Sequence, residues 1–232
     1  MSGARRRTLQ GWLQERQYAT PYHWRQRPND EHEYMLRTQV VLELAGIAAP
    51  PHGAPARPAL LDVGCGDGRF TADAARHVRS VGVDVSQRAL GHARVLVADA
   101  RFVACCGAAL PFRDAAFDLV TMLDVIEHVP DEHEQQVIDE SRRVLRPGGR
   151  IVVSTNTDCS ARELKHYRHY PIDRFRALFD GFHGLTMVGL VPYFPTLRIW
   201  MAMPIVWRLA RPRIRRCAPE EAQVVIAAAV KL

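Results

Sequence analysis

The sequence predicts a doubly wound α/β fold, a mostly parallel sheet with helices on both faces. Three observations carry that expectation. Short apolar runs alternate with helix-length amphipathic stretches from residue 59 onward, the pattern of strands joined by crossover helices. A glycine-dense turn follows the first apolar run directly and opens a helix. Pro147-Gly148-Gly149 then stops a later helix just before another apolar run. Parallel neighbours need crossovers of this kind, wound right-handed.

In chain order, residues 31–47 place Met35, Val40, Val41, Leu44 and Ile47 at helical spacing, and the Pro-rich stretch Pro50 to Pro58 reads as a linker. The first strand is expected at Ala59–Val63 and a helix from Arg69 to about His77. Ser80–Val85 reads as the second strand, Ser86–Ala93 as a helix, and Arg101 to about Cys105 and Phe117–Leu123 as the third and fourth strands. A helix starting near Asp131 carries Val137, Ile138, Val144 and Leu145 on one stripe, and strand five follows at Arg150–Thr155. Beyond Asn156 the pattern loosens. A helix at Ile172–Phe179 and strands at Leu185–Val191 and Gln223–Ala229 complete a seven-stranded sheet, with an irregular insertion at about 192–219. The division is an N-terminal helical extension and linker, 1–58, and one folded domain, 59–232.

Composition narrows the partners. With 47% hydrophobic and 24% charged residues, the chain is an ordinary globular protein and not a disordered one. The net charge of +6 is dispersed, with short clusters only at Arg5, Arg6, Arg7 and at Arg211, Arg213, Arg215, Arg216, so nucleic acid is not the expected partner. Five cysteines form no C-x-x-C pair and cannot all be paired; with no signal-like apolar run behind the N-terminal arginines, a reduced cytoplasmic setting is expected. No run reaches the roughly 18 apolar residues of a membrane span.

The densest chemical signal is Leu60-Leu61-Asp62-Val63-Gly64-Cys65-Gly66-Asp67-Gly68-Arg69-Phe70. Glycines there let a ligand approach the backbone, and the free N–H groups of a helix start favour electronegative groups. A dinucleotide fingerprint would need glycine at position 69, which is Arg69. Asp84 ends the second strand, where a carboxylate can accept from two ribose hydroxyls or can simply cap the next helix.

Residues 59–155 resemble the class I S-adenosylmethionine-dependent methyltransferase superfamily, and in particular its small-molecule, ubiquinone-biosynthesis-like branch. The resemblance rests on this turn, Asp84, Leu110-Pro111-Phe112 with Phe117-Asp118-Leu119-Val120, and Arg143-Val144-Leu145-Arg146-Pro147-Gly148-Gly149. It implies a Rossmann-like fold, adenosylmethionine as cofactor, adenosylhomocysteine as product and a small-molecule acceptor. It also implies Gly64, Cys65, Gly66, Asp67 and Gly68 beneath the cofactor, Asp62 near its amino group, Asp84 on the ribose, Val85 against adenine, and Leu123 at the end of the fourth strand beside the site. One departure stands out: Cys106, followed by Gly107, occupies the position where relatives carry an aspartate facing the adenine amino group, and a thiol is a poor acceptor. Backbone groups of Cys106 and Gly107 are then expected to read adenine, while plain packing is the commoner role for the Cys105-Cys106 pair.

Reacting groups collect beyond the carboxyl ends of the strands, which points to Leu123-Asp124-Val125-Ile126-Glu127-His128-Val129-Pro130. Its Glu-His element resembles that of the ubiquinone-biosynthesis-like enzymes. His128 is a candidate general base or a buried, hydrogen-bonded histidine, and Glu127 an orienting carboxylate. Lys165-His166-Tyr167-Arg168-His169-Tyr170 follows strand five, with His166 and His169 as further catalytic candidates; it reads as a capture site for an anionic or phenolic acceptor or as a solvated basic loop. No acidic residue has a linear spacing that fixes a metal site, and no metal is expected. Tyr18, Tyr22, His23 and Trp24 form an aromatic patch expected to fold over the cofactor. The apolar segment 199–209 is read first as pocket lining, then as core, then as a peripheral membrane contact. Two other functions stay open: an adenosylmethionine-binding module without catalysis, and a nicotinamide-dependent oxidoreductase on a similar fold.

Overall fold

A computed structural model describes residues 11–13, 15–25, 28–47, 57–161, 165–193 and 213–232. The expected linker, the Arg5–Arg7 cluster and the apolar segment 199–209 fall wholly or mainly outside the described residues. The strands are β1 Ala59–Val63, β2 Arg79–Asp84, β3 Ala100–Ala104, β4 Phe117–Leu123, β5 Leu145–Asn156, β6 Phe182–Tyr193, β7 Arg213–Cys217 and β8 Val224–Lys231. The helices are α1 Pro28–Ala45, α2 Arg69–Ala75, α3 Gln87–Leu96, α4 Glu134–Val144 and α5 Ile172–Ala177.

The sheet order is β3-β2-β1-β4-β5-β8-β6-β7. β1 to β5 pair in parallel, whereas β8, β6 and β7 pair antiparallel along one edge. The expected seven strands are therefore eight. The difference is β7, which lies inside the stretch expected to be irregular; its run Arg213-Ile214-Arg215-Arg216-Cys217 has little apolar alternation to betray it. It is a strand because it pairs with β6, from Gly189 opposite Cys217 to Tyr193 opposite Arg213, and Arg216 adds an ion pair with Glu43 of α1.

Side-chain alternation splits the core into two layers. Leu61, Val63, Val120, Met122, Ile151 and Val153 join Val137, Ile138 and Val144 of α4 and Phe175 of α5. Leu60, Leu119, Val152 and Ile226 join Val40, Val41 and Ala45 of α1 and Phe70 and Ala74 of α2 on the other face. Of the apolar positions that gave α1 its helical spacing, Met35 is exposed. Arg150 donates from Nη1 to the Leu44 carbonyl at 2.7 Å, supplying a donor to the otherwise open carbonyl end of α1. Among the described residues no helix is long and apolar enough to cross a membrane. The order reverses between β1 and β4, and their carboxyl ends open the crevice in which such sheets place ligands.

Candidate functional site

At the carboxyl end of β1 the chain folds back onto β2: the Gly64 and Cys65 N–H groups both donate to the Val83 carbonyl, at 2.8 and 3.0 Å. Gly64 has φ +71, and a Cβ there would come within 2.3 Å of Val125 Cγ2. The next loop is thus pressed directly onto the turn, and only glycine fits between them. Asp84 accepts from Gly66 N–H at 2.9 Å and Ser86 N–H at 2.8 Å. Burial raises its pKa, and these two donors partly offset the rise. Asp62 is enclosed below the turn, accepting from Thr71 Oγ1 at 2.6 Å and Thr121 Oγ1 at 2.9 Å. Burial pushes its carboxyl up to about 6 against the pull of the two hydroxyls.

The aromatic N-terminal patch lies over this turn. Asp67, with no exposed surface, accepts from the His23 N–H at 2.8 Å and bonds His23 Nδ1 at 2.9 Å, while Trp24 Nε1 donates to the Asp67 carbonyl at 2.9 Å. A Cβ on Gly66 would meet Tyr18 Oη at 2.6 Å. Arg69 stacks on Trp24 and Tyr34, its guanidinium carbon 5.1 and 4.7 Å from the two ring centres. The second half of the glycine turn therefore holds the N-terminal segment. Gly68 packs underneath, toward Ala93 of α3 and Phe102.

The other end of the crevice is built from four separate pieces of chain. Asp124 follows β4 with φ +54, a conformation that an L residue other than asparagine or aspartate rarely accepts. Its carboxylate is ion-paired with Arg37 of α1 and accepts from Ser154 Oγ at 2.9 Å. Burial alone would raise Asp124, but the guanidinium overrides it and holds the acid low. Glu127, with no exposed surface, accepts from Thr155 Oγ1 at 3.0 Å and Asn156 Nδ2 at 3.1 Å. Burial, with Asp124 close by, pushes its carboxyl up to about 8.

Lys165 to Tyr170 is stitched onto this loop. Tyr167 N–H donates to the Glu127 carbonyl at 2.8 Å, and Arg168 donates to the carbonyls of Ile126 and Val129 at 2.9 and 2.7 Å. The Arg168 side chain is only 7% exposed, and His166 and His169 are buried. The segment is therefore neither a solvated basic loop nor an arginine presented to an acceptor; Arg168 is a clamp that sets the His128 loop. The result is a chain of imidazoles. His128 and His166 meet edge to face with ring centres 4.7 Å apart, His166 Nδ1 bonds His169 Nε2 at 2.8 Å, and His169 Nδ1 bonds Ser160 Oγ at 3.1 Å.

One cavity of about 740 Å³ runs between the two ends, within the size range of small-molecule sites. Of the residues expected around a cofactor, Asp62, Gly64, Cys65, Asp84, Val85, Cys106, Gly107 and Leu123 line it, whereas Gly66, Asp67 and Gly68 do not. His128 and His166 line its far end, and His169 stands behind His166. Val85 is 68% exposed at the rim, an apolar surface that a flat ring would cover. The cysteine pair divides: Cys105 packs partly buried against the main core, and Cys106 is exposed.

Residues 61–153 match the family model described as a methyltransferase domain. Over that stretch the chain is similar to methyltransferases. An uncharacterized methyltransferase of Mycobacterium leprae is 41% identical over 124 residues, 51% of this chain and 45% of the relative. A ubiquinone biosynthesis O-methyltransferase of Idiomarina loihiensis is 37% identical over 102 residues, 41% of each chain. The methyltransferase domain also superposes on the N-methyltransferase NodS of Bradyrhizobium japonicum, solved with S-adenosyl-L-homocysteine, with a TM-score of 0.65 and 21% identity over 95% of this chain and 97% of that one. The chain spans a little under half the length of the curated relatives it matches first.

Sequence reasoning missed Arg37, Asp124 and the placement of Glu127 between strands β4 and β5. Arg37 and Asp124 lie 87 positions apart, and no local pattern pairs them. Only Asp124 left a trace, as a short polar residue at the carboxyl end of a strand where the chain must bend.

Proposed function

We propose that the protein transfers a methyl group from S-adenosylmethionine to the oxygen or nitrogen of a small-molecule acceptor. The single observation that carries this reading is the continuous cavity, with the glycine turn, Asp84 and Val85 at one end and Glu127, His128 and His166 at the other. The residues present suit the cofactor. Asp84 uses one lone pair on each oxygen for the turn and retains others for ribose hydroxyls, Val85 offers an apolar face for adenine, and the enclosed Asp62 carboxylate sits where an ammonium group would relieve its burial. Cys106 and Gly107 present backbone groups where an aspartate is absent. Bound there, adenosylmethionine supplies an electrophilic methyl whose C–S electron pair returns to sulfur as the acceptor's lone pair forms the new bond. The task of the chain is to hold the acceptor in line with that methyl and to take charge of the acceptor's proton, for which His128, His166 and His169 are the candidates. Val129 and Pro130, next to His128 in the chain, also line the cavity, which suits a hydrophobic or phenolic acceptor.

Calorimetric titration with adenosylmethionine, adenosylhomocysteine and NAD, followed by a screen of phenols and amines for adenosylhomocysteine release, tests this reading. Binding of both adenosyl ligands and turnover of a protic acceptor are expected. Binding without turnover on any acceptor points to the silent module, and preference for NAD overturns the methyltransferase reading.

A further inference from the structure

The glycine turn does not meet the cavity along its whole length. Gly64 and Cys65 line it, whereas Gly66 is buried and does not. Tyr18 of the N-terminal segment covers that position. A Cβ on Gly66 would come within 2.6 Å of Tyr18 Oη and 3.3 Å of Tyr18 Cζ, and Tyr18 itself lines the cavity. The close backbone approach that a glycine offers is therefore taken up by a phenol. At this point of the wall a bound molecule meets a hydroxyl carried by a segment more than 40 positions away.

That hydroxyl stands beside the carboxylate that the turn positions. Asp84 Oδ2 accepts from the N–H of the same Gly66 at 2.9 Å. Burial, then the charges of Asp84 and Asp67, raise the Tyr18 pKa, so the phenol keeps its proton and stays a donor. Its place is fixed from two sides. His92 of α3 donates from Nε2 to the Tyr18 carbonyl at 3.1 Å, and Arg88 of α3 from Nη1 to the Glu15 carbonyl at 3.4 Å. On the other side, His23 and Trp24 hold Asp67. A donor anchored in this way has little freedom left to lose when a ligand arrives.

The chemistry of the pair selects its partner. Asp84 and Asp67 repel an anionic oxygen approaching the phenol. A neutral alcohol suits both groups: its oxygen accepts from Tyr18 while its own O–H donates to Asp84, and the two bonds polarise one another. We propose that Tyr18 and Asp84 together form a niche for one ribose hydroxyl of the bound nucleoside, with Tyr18 donating to the hydroxyl oxygen and Asp84 accepting from the hydroxyl. The proposal rests on the cofactor reading above and adds to it a specificity determinant from the N-terminal segment, one that favours ribose over a deoxyribose.

The full chain, as wild type and as Tyr18→Phe, is titrated with adenosylhomocysteine and with its 2′-deoxy and 3′-deoxy analogues. The substitution keeps the ring over Gly66 and removes only the hydroxyl. Adenosylhomocysteine should bind the variant about 5- to 10-fold more weakly, the scale of one hydrogen bond. For the deoxy analogue that lacks the hydroxyl in the niche, wild type and variant should agree to within about 2-fold. An equal loss on all three ligands shows that Tyr18 serves the fold alone and overturns the proposal, as does unchanged affinity for adenosylhomocysteine. Any structural damage in the variant weakens the three ligands alike and cancels in the comparison. Titration with NAD separates the niche from the methyltransferase reading: if the wild type prefers NAD and Tyr18→Phe weakens it by the same factor, the niche stands and that reading falls. Binding of adenosylhomocysteine without turnover of any acceptor sinks the activity and leaves the niche intact. A wild type that binds no nucleoside overturns both.

Discussion

The two ends of the cavity are made in different ways. The proposed cofactor end is almost one continuous piece of chain, Leu60 to Ser86, whose turn is tied to its own neighbouring strand through Val83 and Asp84. The acceptor end brings together Arg37, Asp124 to His128, Ser154 to Asn156 and His166 to His169, from four stretches of chain. A site built locally is specified by backbone conformation; one built by convergence depends on packing and paired charges. Damage at the first end should therefore act through strain and cofactor affinity together, whereas damage at the second should show as coupling between distant residues.

The largest effect is expected where the two ends touch. Gly64→Val places a branched side chain at φ +71 and drives it into Val125; conformational strain and overpacking together cost about 4 kcal/mol. That lowers the melting temperature by roughly 10 °C for a chain of this size, and adenosylmethionine binding should be lost. A variant that melts and binds normally would show that the turn and the Val125 loop are not in contact.

Asp62 separates protonation from geometry. Its folded-state pKa of about 6 lies above the ordinary value of 3.8, so the folded protein holds the proton more tightly than the unfolded one. Stability of the ligand-free protein should then be highest below pH 4 as far as this group is concerned and fall as pH rises toward 6, by on the order of 3 kcal/mol. Cofactor affinity should run the opposite way, rising through pH 6 as the carboxylate ionises for the ammonium group. Asp62→Asn should abolish both trends; denaturant titrations and calorimetry across pH 4 to 8 read them. Opposite slopes in wild type that persist in the variant would assign them to another group.

Asp84→Ala should weaken adenosylmethionine by about 1.5 to 3 kcal/mol, the scale of a lost charge-assisted hydrogen bond, with some loss of stability because Gly66 and Ser86 lose their acceptor. Unchanged affinity in the folded variant would remove Asp84 from the ribose. The smallest effect belongs to the acceptor end. Arg37→Ala and Asp124→Ala, alone and combined, should show a coupling of about 1 kcal/mol, as for an ion pair that still meets solvent. Additive effects would mean that α1 is held over the crevice by its apolar face alone.

The limits of legibility follow the same division. The five parallel strands, their crossover helices, the glycine turn and Asp84 were readable because period-two and helical alternation, together with glycines at positive φ, are local consequences of residue type. β7 was not readable: its arginine-rich run becomes a strand only by pairing with β6. The histidines were visible one by one, yet their grouping was not, since Glu127 and His128 are neighbours in sequence while His166 arrives only when Arg168 clamps its loop onto the carbonyls of Ile126 and Val129. The buried state of Arg168 likewise removed the solvated-loop reading of the Lys165–Tyr170 segment. Residue type and spacing by themselves determined the parallel strands and the glycine turn, because each is set by interactions within a few residues. The tertiary structure alone decided which charges face one another at the acceptor end, because that depends on contacts between segments tens of residues apart.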